Sequence, residues 1–407
     1  MAQPQTRRLE VMSRLTSGSR MMQTRTQFRS TPGLPLSASA DPPTDPVEID
    51  RLTLLRIMHD AFLEAQDRVG GSIDHHYRVA ENNIRLRFAG PSLVPSISRA
   101  FAHLEHSPVT APDLDICVWD SASTGRPLPL LVSSLLRLLR MTWLENRGIR
   151  GEILDFNGGR IRAALHGHDS NVLSVIDLEA NVGVYWVAAN SDIPWYETGA
   201  PLRILLYWWF SRYAGQIIHG GAVGTQRGGV LLAGKGGSGK STTALKSLDS
   251  SLLYAGDDYT LVSMEPRPFV YSLYNTAKVK GPADLTRFPW MSSQLCNGER
   301  IGPNREKPMM FLHEYKPDKI ISGFPLKSVV LPRFTSGKKN CELSSLASAS
   351  AFRAIAHSTV TQLTGAGAEA LRAMSQMVRQ VPCYALTFGE DLGEIPEVIL
   401  ELLSRQP

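Results

Sequence analysis

The 407-residue chain has only four cysteines, Cys117, Cys296, Cys341 and Cys383, and no two of them stand in a C-x-x-C spacing. That scarcity excludes a disulfide-stapled scaffold and a cysteine-built zinc site, and it fits inert thiols in a reducing, cytoplasmic setting. Long hydrophobic runs are missing as well: no stretch approaches the ~18 consecutive apolar residues of a membrane span. The most apolar segment, Leu202 to Ala214, is interrupted by Arg203, Ser211 and Arg212 and reads as an amphipathic packed helix. Acidic residues are nearly absent from the first 40 positions, where six arginines face one acid, Glu10. The rest of the chain holds 37 basic and 37 acidic residues, so the whole formal charge of +5 belongs to this tail. A neutral body has no general electrostatic footprint for nucleic acid, and no basic–aromatic interleaving supplies a local one.

Residues 1–47 read as a disordered tail and a proline-rich linker. The tail has no continuous apolar h-region, and Met12, Met21 and Met22 offer alternative starts. Pro32, Pro35, Pro42, Pro43 and Pro46 then prevent a continuing helix. The full sequence is 43% hydrophobic and 20% charged, ample for a core, and its length suggests two or three domains.

Residues 48–215 read as a smaller α+β domain with a candidate role in substrate recognition. The pattern predicts a helix over 48–65, strands at Ile84–Phe88 and Asp115–Asp120, and a helix over Leu130–Leu144. Short strands are expected between Ile149 and Val187. Asp74-His75-His76 and His166-Gly167-His168-Asp169 look like metal clusters, but each lacks a matched third ligand and reads as a surface loop.

Residues 216–407 change texture. Ile217-Ile218 and Val230–Ala233 are strand-like, a glycine-rich turn and a helix at Ser241–Leu248 follow, and Leu252–Ala255 is again strand-like. That order predicts the start of a parallel sheet with a crossover helix. Further strands are expected at Ser328–Arg333 and Tyr384–Phe388, and helices at 346–357, 368–378 and 394–403.

Between strand and helix lies Gly234-Lys235-Gly236-Gly237-Ser238-Gly239-Lys240-Ser241-Thr242, a complete G-x-x-x-x-G-K-[ST] motif. Glycines let such a loop curl until successive backbone N–H groups form an anion nest at the positive end of the helix. Lys240 then reaches the β- and γ-phosphates of ATP, and the Ser241 hydroxyl suits Mg2+, a hard ion that prefers oxygen. The competing reading is a glycine-rich linker, and the strand and helix on either side count against it.

Sixteen residues beyond Ser241, Asp257-Asp258 ends an apolar run. One carboxylate of such a pair can serve Mg2+ and the other can deprotonate an attacking hydroxyl, provided the strand ends or bends there. The alternative is a solvated turn. His219, before Gly220-Gly221, is either structural or an orienting partner for Asp257. Lys278 and Lys280 either contact phosphates or line a solvated strand face.

His219-Gly220, the strand into GKGGSGKST, and Tyr254-Ala255-Gly256-Asp257-Asp258 together resemble the catalytic domain of HPr kinase/phosphorylase. That family belongs with the phosphoenolpyruvate carboxykinase-like P-loop proteins. The later stretches Tyr271–Lys278, Phe324–Arg333 and Pro382–Asp391 resemble a bacterial subgroup that includes peptide-tailoring serine kinases, lasso-peptide kinases among them. The resemblance spans residues 216–407 and implies an α/β P-loop catalytic domain. It also implies that Ser241 and Asp258 hold Mg2+, that Lys240 binds phosphates, and that Asp257 is the base with His219 beside it. Gly236 and Thr242 stand where the HPr enzymes usually carry Ser and Glu, and their glycine- and arginine-rich phosphorylase signature is missing. HPr itself and the phosphorylase reaction are therefore not expected. The leading expectation is an ATP- and Mg2+-dependent kinase acting on a serine of a peptide or small protein. A nucleotide-binding regulator and a small-metabolite kinase are the alternatives; homo-oligomerisation stays open.

Overall fold

Alternating apolar residues set the first sheet. The computed structural model describes residues 50–141, 151, 153, 159–166, 171–213, 215–296, 307–363 and 365–405. The tail at 1–47, the end of the helix expected to run to Leu144, and Gly167, His168 and Asp169 lie outside them. Helix α1 (Arg51–Arg68) buries Leu54, Leu55, Met58, Ala61, Phe62 and Ala65 at helical spacing. Six strands follow: β1 (Ser72–Val79), β2 (Asn82–Ala89), β3 (Leu114–Asp120), β4 (Ile161–Leu165), β5 (Val172–Asp177) and β6 (Val182–Val187), in the order β1-β2-β3-β6-β5-β4. Helix α2 (Leu130–Met141) lies between β3 and β4 in sequence. Ile84, Leu86, Ile116, Val118, Tyr185 and Val187 share one face, while Arg87 on the other face lies over the Phe62 ring of α1. β3 pairs in parallel with both neighbours, and its run Ile116-Cys117-Val118-Trp119 is apolar toward both faces. Asp74-His75-His76 belongs to edge strand β1 rather than to a loop, because Tyr77 and Val79 anchor this stretch to the core in β1–β2 register.

Short helix α3 (Trp195–Thr198) and helix α4 (Arg203–Phe210) lead out of this sheet. All seven residues from Ile204 to Phe210 are buried, so α4 is apolar all round and not amphipathic as its sequence reads. Its surroundings explain the difference. One hydrophobic cluster runs from Ile116, Val118 and Tyr185 through α4 to Ile217, Leu261 and Tyr274, so α4 is enclosed on every side.

A nine-stranded sheet follows. Its strands are β7 (Gly215–Ile218), β8 (Gly221–Thr225), β9 (Gly228–Leu232), β10 (Leu253–Gly256), β11 (Thr260–Ser263), β12 (Phe269–Ser272), β15 (Gly323–Phe334), β16 (Glu342–Ser345) and β17 (Cys383–Phe388). β13 (Thr276–Lys278) and β14 (Met309–Phe311) form a separate antiparallel pair. The order is β10-β8-β9-β15-β12-β11-β7, with β17 beside β15 and β16 beside β17. Helix α5 (Lys240–Ser247) and helix α8 (Ile395–Ser404) pack on one face through Ala244, Leu245, Ile395 and Ile399. Helices α6 (Ser348–Val360) and α7 (Ala368–Gln380) cover the other through Ala351, Ile355, Met374 and Met377.

α5 does carry the chain from β9 to β10, but the two strands are not neighbours. β8 lies between them, antiparallel to both, so the sheet is mixed here and parallel only at β9–β15–β17. The sequence Gly221-Ala222-Val223-Gly224-Thr225 has weak strand propensity, and its place in the sheet comes from a hairpin with β9.

Candidate active site

The glycine-rich loop grows out of a buried strand. All five residues of β9 are buried, and Ala233 is tied to β15 through its N–H to the Val330 carbonyl at 3.0 Å. Gly234, Gly237 and Gly239 then hold φ values of +141°, +80° and +109°, in the region L side chains avoid. At Gly239 space forbids a side chain too, since a Cβ there would lie 2.6 Å from Phe388 Cζ. The Thr243 N–H closes the first turn of α5 on the Gly239 carbonyl at 2.8 Å. Lys240 is 7% exposed, and its Nζ donates to the carbonyls of Gly234 (2.8 Å) and Lys235 (3.3 Å). Burial lowers its pKa, opposed by the nearby Asp258 and Asp257 charges.

The carboxylate pair lies where β10 ends. The β10–β8 register shifts between Tyr254 and Gly256, and Asp257 and Asp258 follow in a bend, so both side chains reach the same region. Their surroundings differ. Asp257 is 2% exposed and accepts the Lys278 N–H at 3.2 Å; its Oδ1 has no hydrogen-bond partner among the described residues, and the neighbouring Ser241 favours its charged form. Burial, then the charge of Asp258, pushes its carboxyl up to about 7. Asp258 is also desolvated, but Lys278 and His219 outweigh burial and hold it well below the usual carboxylate range. Lys278 Nζ bonds Asp258 Oδ2 at 2.9 Å. The lysine is 6% exposed, which overturns the reading of Lys278 as part of a solvated strand face; Lys280 is exposed. Gly199, just after α3, makes the Lys278 geometry possible, since a Cβ there would sit 2.5 Å from Lys278 Cε.

His219 sits between β7 and β8, beside Asp258 rather than Asp257. Its Nε2 is 3.7 Å from Asp258 Oδ1, its Nδ1 hydrogen-bonds Ser358 Oγ of α6, and its ring leans on Tyr259. Burial lowers its pKa, partly offset by Asp258. A neutral ring beside an anionic carboxylate directs its Nε2–H toward Asp258, which leaves Nδ1 to accept the Ser358 hydroxyl proton. Ser358→Ala is therefore expected to turn a single Nε2–H tautomer of His219 into a mixture. Nitrogen shifts of the imidazole read this directly, and an unchanged tautomer in the variant would remove Ser358 from any orienting role.

Asp257 gives a second expectation. An acid whose pKa is raised by folding costs nothing below about pH 4, costs more as pH rises to its folded value, and a constant amount above. In metal-free buffer Asp257→Asn should raise the melting temperature more at pH 8 than at pH 5. Equal gains at both pH values would contradict a raised Asp257.

These groups face a cavity of about 910 Å³. Lys235, Gly236, Gly237, Gly239, Lys240, Ser241, Thr242, Asp258 and His219 line it, whereas Gly234, Ser238 and Asp257 stand behind the lining. Arg287 and Phe334 form one flank, with the guanidinium 5.8 Å from the ring centroid. Another part of the lining comes from the first half of the chain: His166, Trp195, Tyr196, Glu197 and Arg203. Sequence reasoning missed that part. His166 is not in a surface loop as its polar neighbours suggest; it is 4% exposed and hydrogen-bonded to Ser174 Oγ at 2.8 Å.

Among the described residues no group of three or more His, Cys, Asp or Glu side chains could hold a metal ion, and no helix is long and apolar enough to cross a membrane. The donor set suits Mg2+, which takes few protein oxygens and completes its shell with water and phosphate. The Ser241 hydroxyl and the unpartnered, buried Asp257 Oδ1 are such oxygens.

No protein-family profile matches the chain, and no curated protein sequence matches it. Among solved structures, the HPr(Ser) kinase/phosphatase from Coxiella burnetii aligns with 47% of this chain and 95% of its own, at 11% identity and a TM-score of 0.27.

Proposed function

We propose that this protein is an ATP- and Mg2+-dependent kinase that transfers the γ-phosphate to a hydroxyl, the serine of a peptide or small protein. One observation carries the reading: a glycine-rich loop, its lysine and Asp258 line one cavity, with the unlike Asp257 directly behind that lining. Loop N–H groups and Lys240 receive the phosphates, and the exposed ring of Phe334 with Arg287 offers the base a stacking surface. Ser241 and Asp257 would hold Mg2+, which when bound neutralises charge on the β- and γ-phosphate oxygens.

Asp258, on the cavity wall, then faces the acceptor. Its carboxylate takes the proton of the hydroxyl as the new O–P bond forms and the bond from Pγ to the β-phosphate oxygen breaks, releasing ADP. Geometry precedes pKa in choosing a base, and the reverse of the family-implied division follows: Asp257 stands behind the lining next to Ser241, while Asp258 reaches the cavity. His219 and Lys278 keep Asp258 ionised and aimed.

The test is incubation with γ-labelled ATP and serine-containing peptides encoded beside the gene. Label on serine supports the reading. Tight Mg-ATP binding without transfer to any hydroxyl would make the protein a nucleotide-binding regulator, and label on a small metabolite alone would remove the peptide.

A further inference from the structure

Part of the cavity lining lies outside the glycine-rich loop and is built of buried, incompletely bonded polar groups. Glu197, on α3, is 1% exposed. Beside it lie His166 Nδ1 at 3.4 Å and the Arg203 guanidinium, whose Nη2 is 3.5 Å away. Among the described residues neither Glu197 oxygen, nor His166 Nδ1, nor Arg203 Nε has a hydrogen bond. Buried groups left in that state are costly, and a ligand that completes them recovers the cost. The cluster is also wired to the reacting end. Arg203 Nη1 donates to the Tyr259 hydroxyl at 2.7 Å, next to Asp258 in sequence, and Lys278 Nζ lies between Asp258 and the Trp195 ring, 5.9 Å from its centroid.

We propose that Trp195, Glu197, His166 and Arg203 form the acceptor subsite, and that Glu197 accepts the main-chain N–H of a seryl acceptor whose hydroxyl lies at Asp258. The proposal rests on the kinase reading for the identity of the reaction, and it adds which acceptor the site takes. The chemistry of the wall selects a peptide unit. Glu197 offers only acceptor oxygens, whereas His166 and Arg203 offer N–H donors, and a peptide unit presents one N–H and one carbonyl in a plane. Trp195 supplies a flat apolar surface beside them. A serine residue places its N–H two bonds from the carbon that bears its hydroxyl, so in this proposal one residue serves both Glu197 and Asp258, two carboxylates that share the charge of Lys278.

The experiment titrates the full chain, with Mg2+ and a non-hydrolysable ATP analogue, against three probes: N-acetylserinamide, its N-methyl-seryl counterpart and glycerol. Ligand-observed NMR reads the affinities. N-methylation, which deletes the seryl main-chain N–H and leaves the terminal carboxamide intact, is expected to weaken binding at least about tenfold, the scale of one hydrogen bond to a charged group. In Glu197→Gln, whose amide oxygen still accepts but carries no charge, the penalty should shrink to a few-fold. Equal binding of the two seryl probes to the wild-type protein overturns the proposal without relying on the variant. So does tighter binding of glycerol, or no binding of any probe. L-Serinamide separates an internal peptide amide from a terminal amine. Binding markedly tighter than that of the acetylated probe would assign Glu197 to an ammonium, overturning the peptide-amide form. Failure of the nucleotide analogue to bind, with the N-methyl penalty intact, would sink the kinase reading and leave the subsite standing.

Discussion

Replacing Lys240 with alanine is expected to weaken Mg-ATP binding roughly 10- to 100-fold, the equivalent of losing one charge-assisted contact to phosphate. Calorimetric titration of the full chain measures it. The effect is large because no neighbour can substitute. Lys278 is committed to Asp258, and Lys235 and Lys280 do not come from the first turn of α5. The fold should survive: Lys240 Nζ serves two loop carbonyls, and losing a neutral-acceptor bond of this kind costs about 1 kcal/mol. Lys240→Arg is not expected to restore binding, because the larger planar guanidinium does not fit a slot cut for a buried ammonium. Unchanged affinity in Lys240→Ala would mean that the loop is not a phosphate cradle.

What the sequence discloses and what it conceals divide along chain separation. The loop from Gly234 to Ser241 and the bend at Asp257 are local: glycines, a preceding apolar strand and a following helix specify them without help from elsewhere. The strands at β2, β3, β15 and β17 and the helices α6 to α8 follow their apolar periodicities for the same reason. β8 is concealed because its small residues carry no strand pattern, and its pairing with β9 supplies what propensity lacks. α4 misleads in the opposite way. Arg203 reads as a solvent-facing interruption, yet its side chain is 12% exposed and its guanidinium reaches Glu197 and Tyr259. His166 and Glu197 lie 31 residues apart, and Ser358 and His219 lie 139 apart. No periodicity in one sequence reports such pairs. A polar stretch such as His166-Gly167-His168-Asp169 looks like a loop until the end of β4 is seen packed on Ser174 of β5.

The second large effect separates the two aspartates. Asp258→Asn should reduce phosphotransfer by about 10²- to 10⁴-fold while changing Mg-ATP affinity by only a few-fold, because removing a general base affects the transition state and not the nucleotide complex. Asp257→Asn should instead raise the Mg2+ concentration needed for half-maximal rate by about tenfold or more, with much of the rate returning at saturating metal. The contrast follows from position: Asp257 stands behind the cavity lining next to Ser241, and Asp258 is on the wall between Lys278 and His219. Asp258→Asn also leaves Lys278, 6% exposed, without its counter-charge, so its melting temperature should fall; the double variant Asp258→Asn/Lys278→Met should recover part of that loss without recovering rate. Recovery of stability alone separates the structural share of the ion pair from its chemical share. If Asp257→Asn abolished transfer at every Mg2+ concentration while Asp258→Asn merely shifted the metal requirement, Asp257 would be the base, and its pKa near 7 would be the property that fits it for the task.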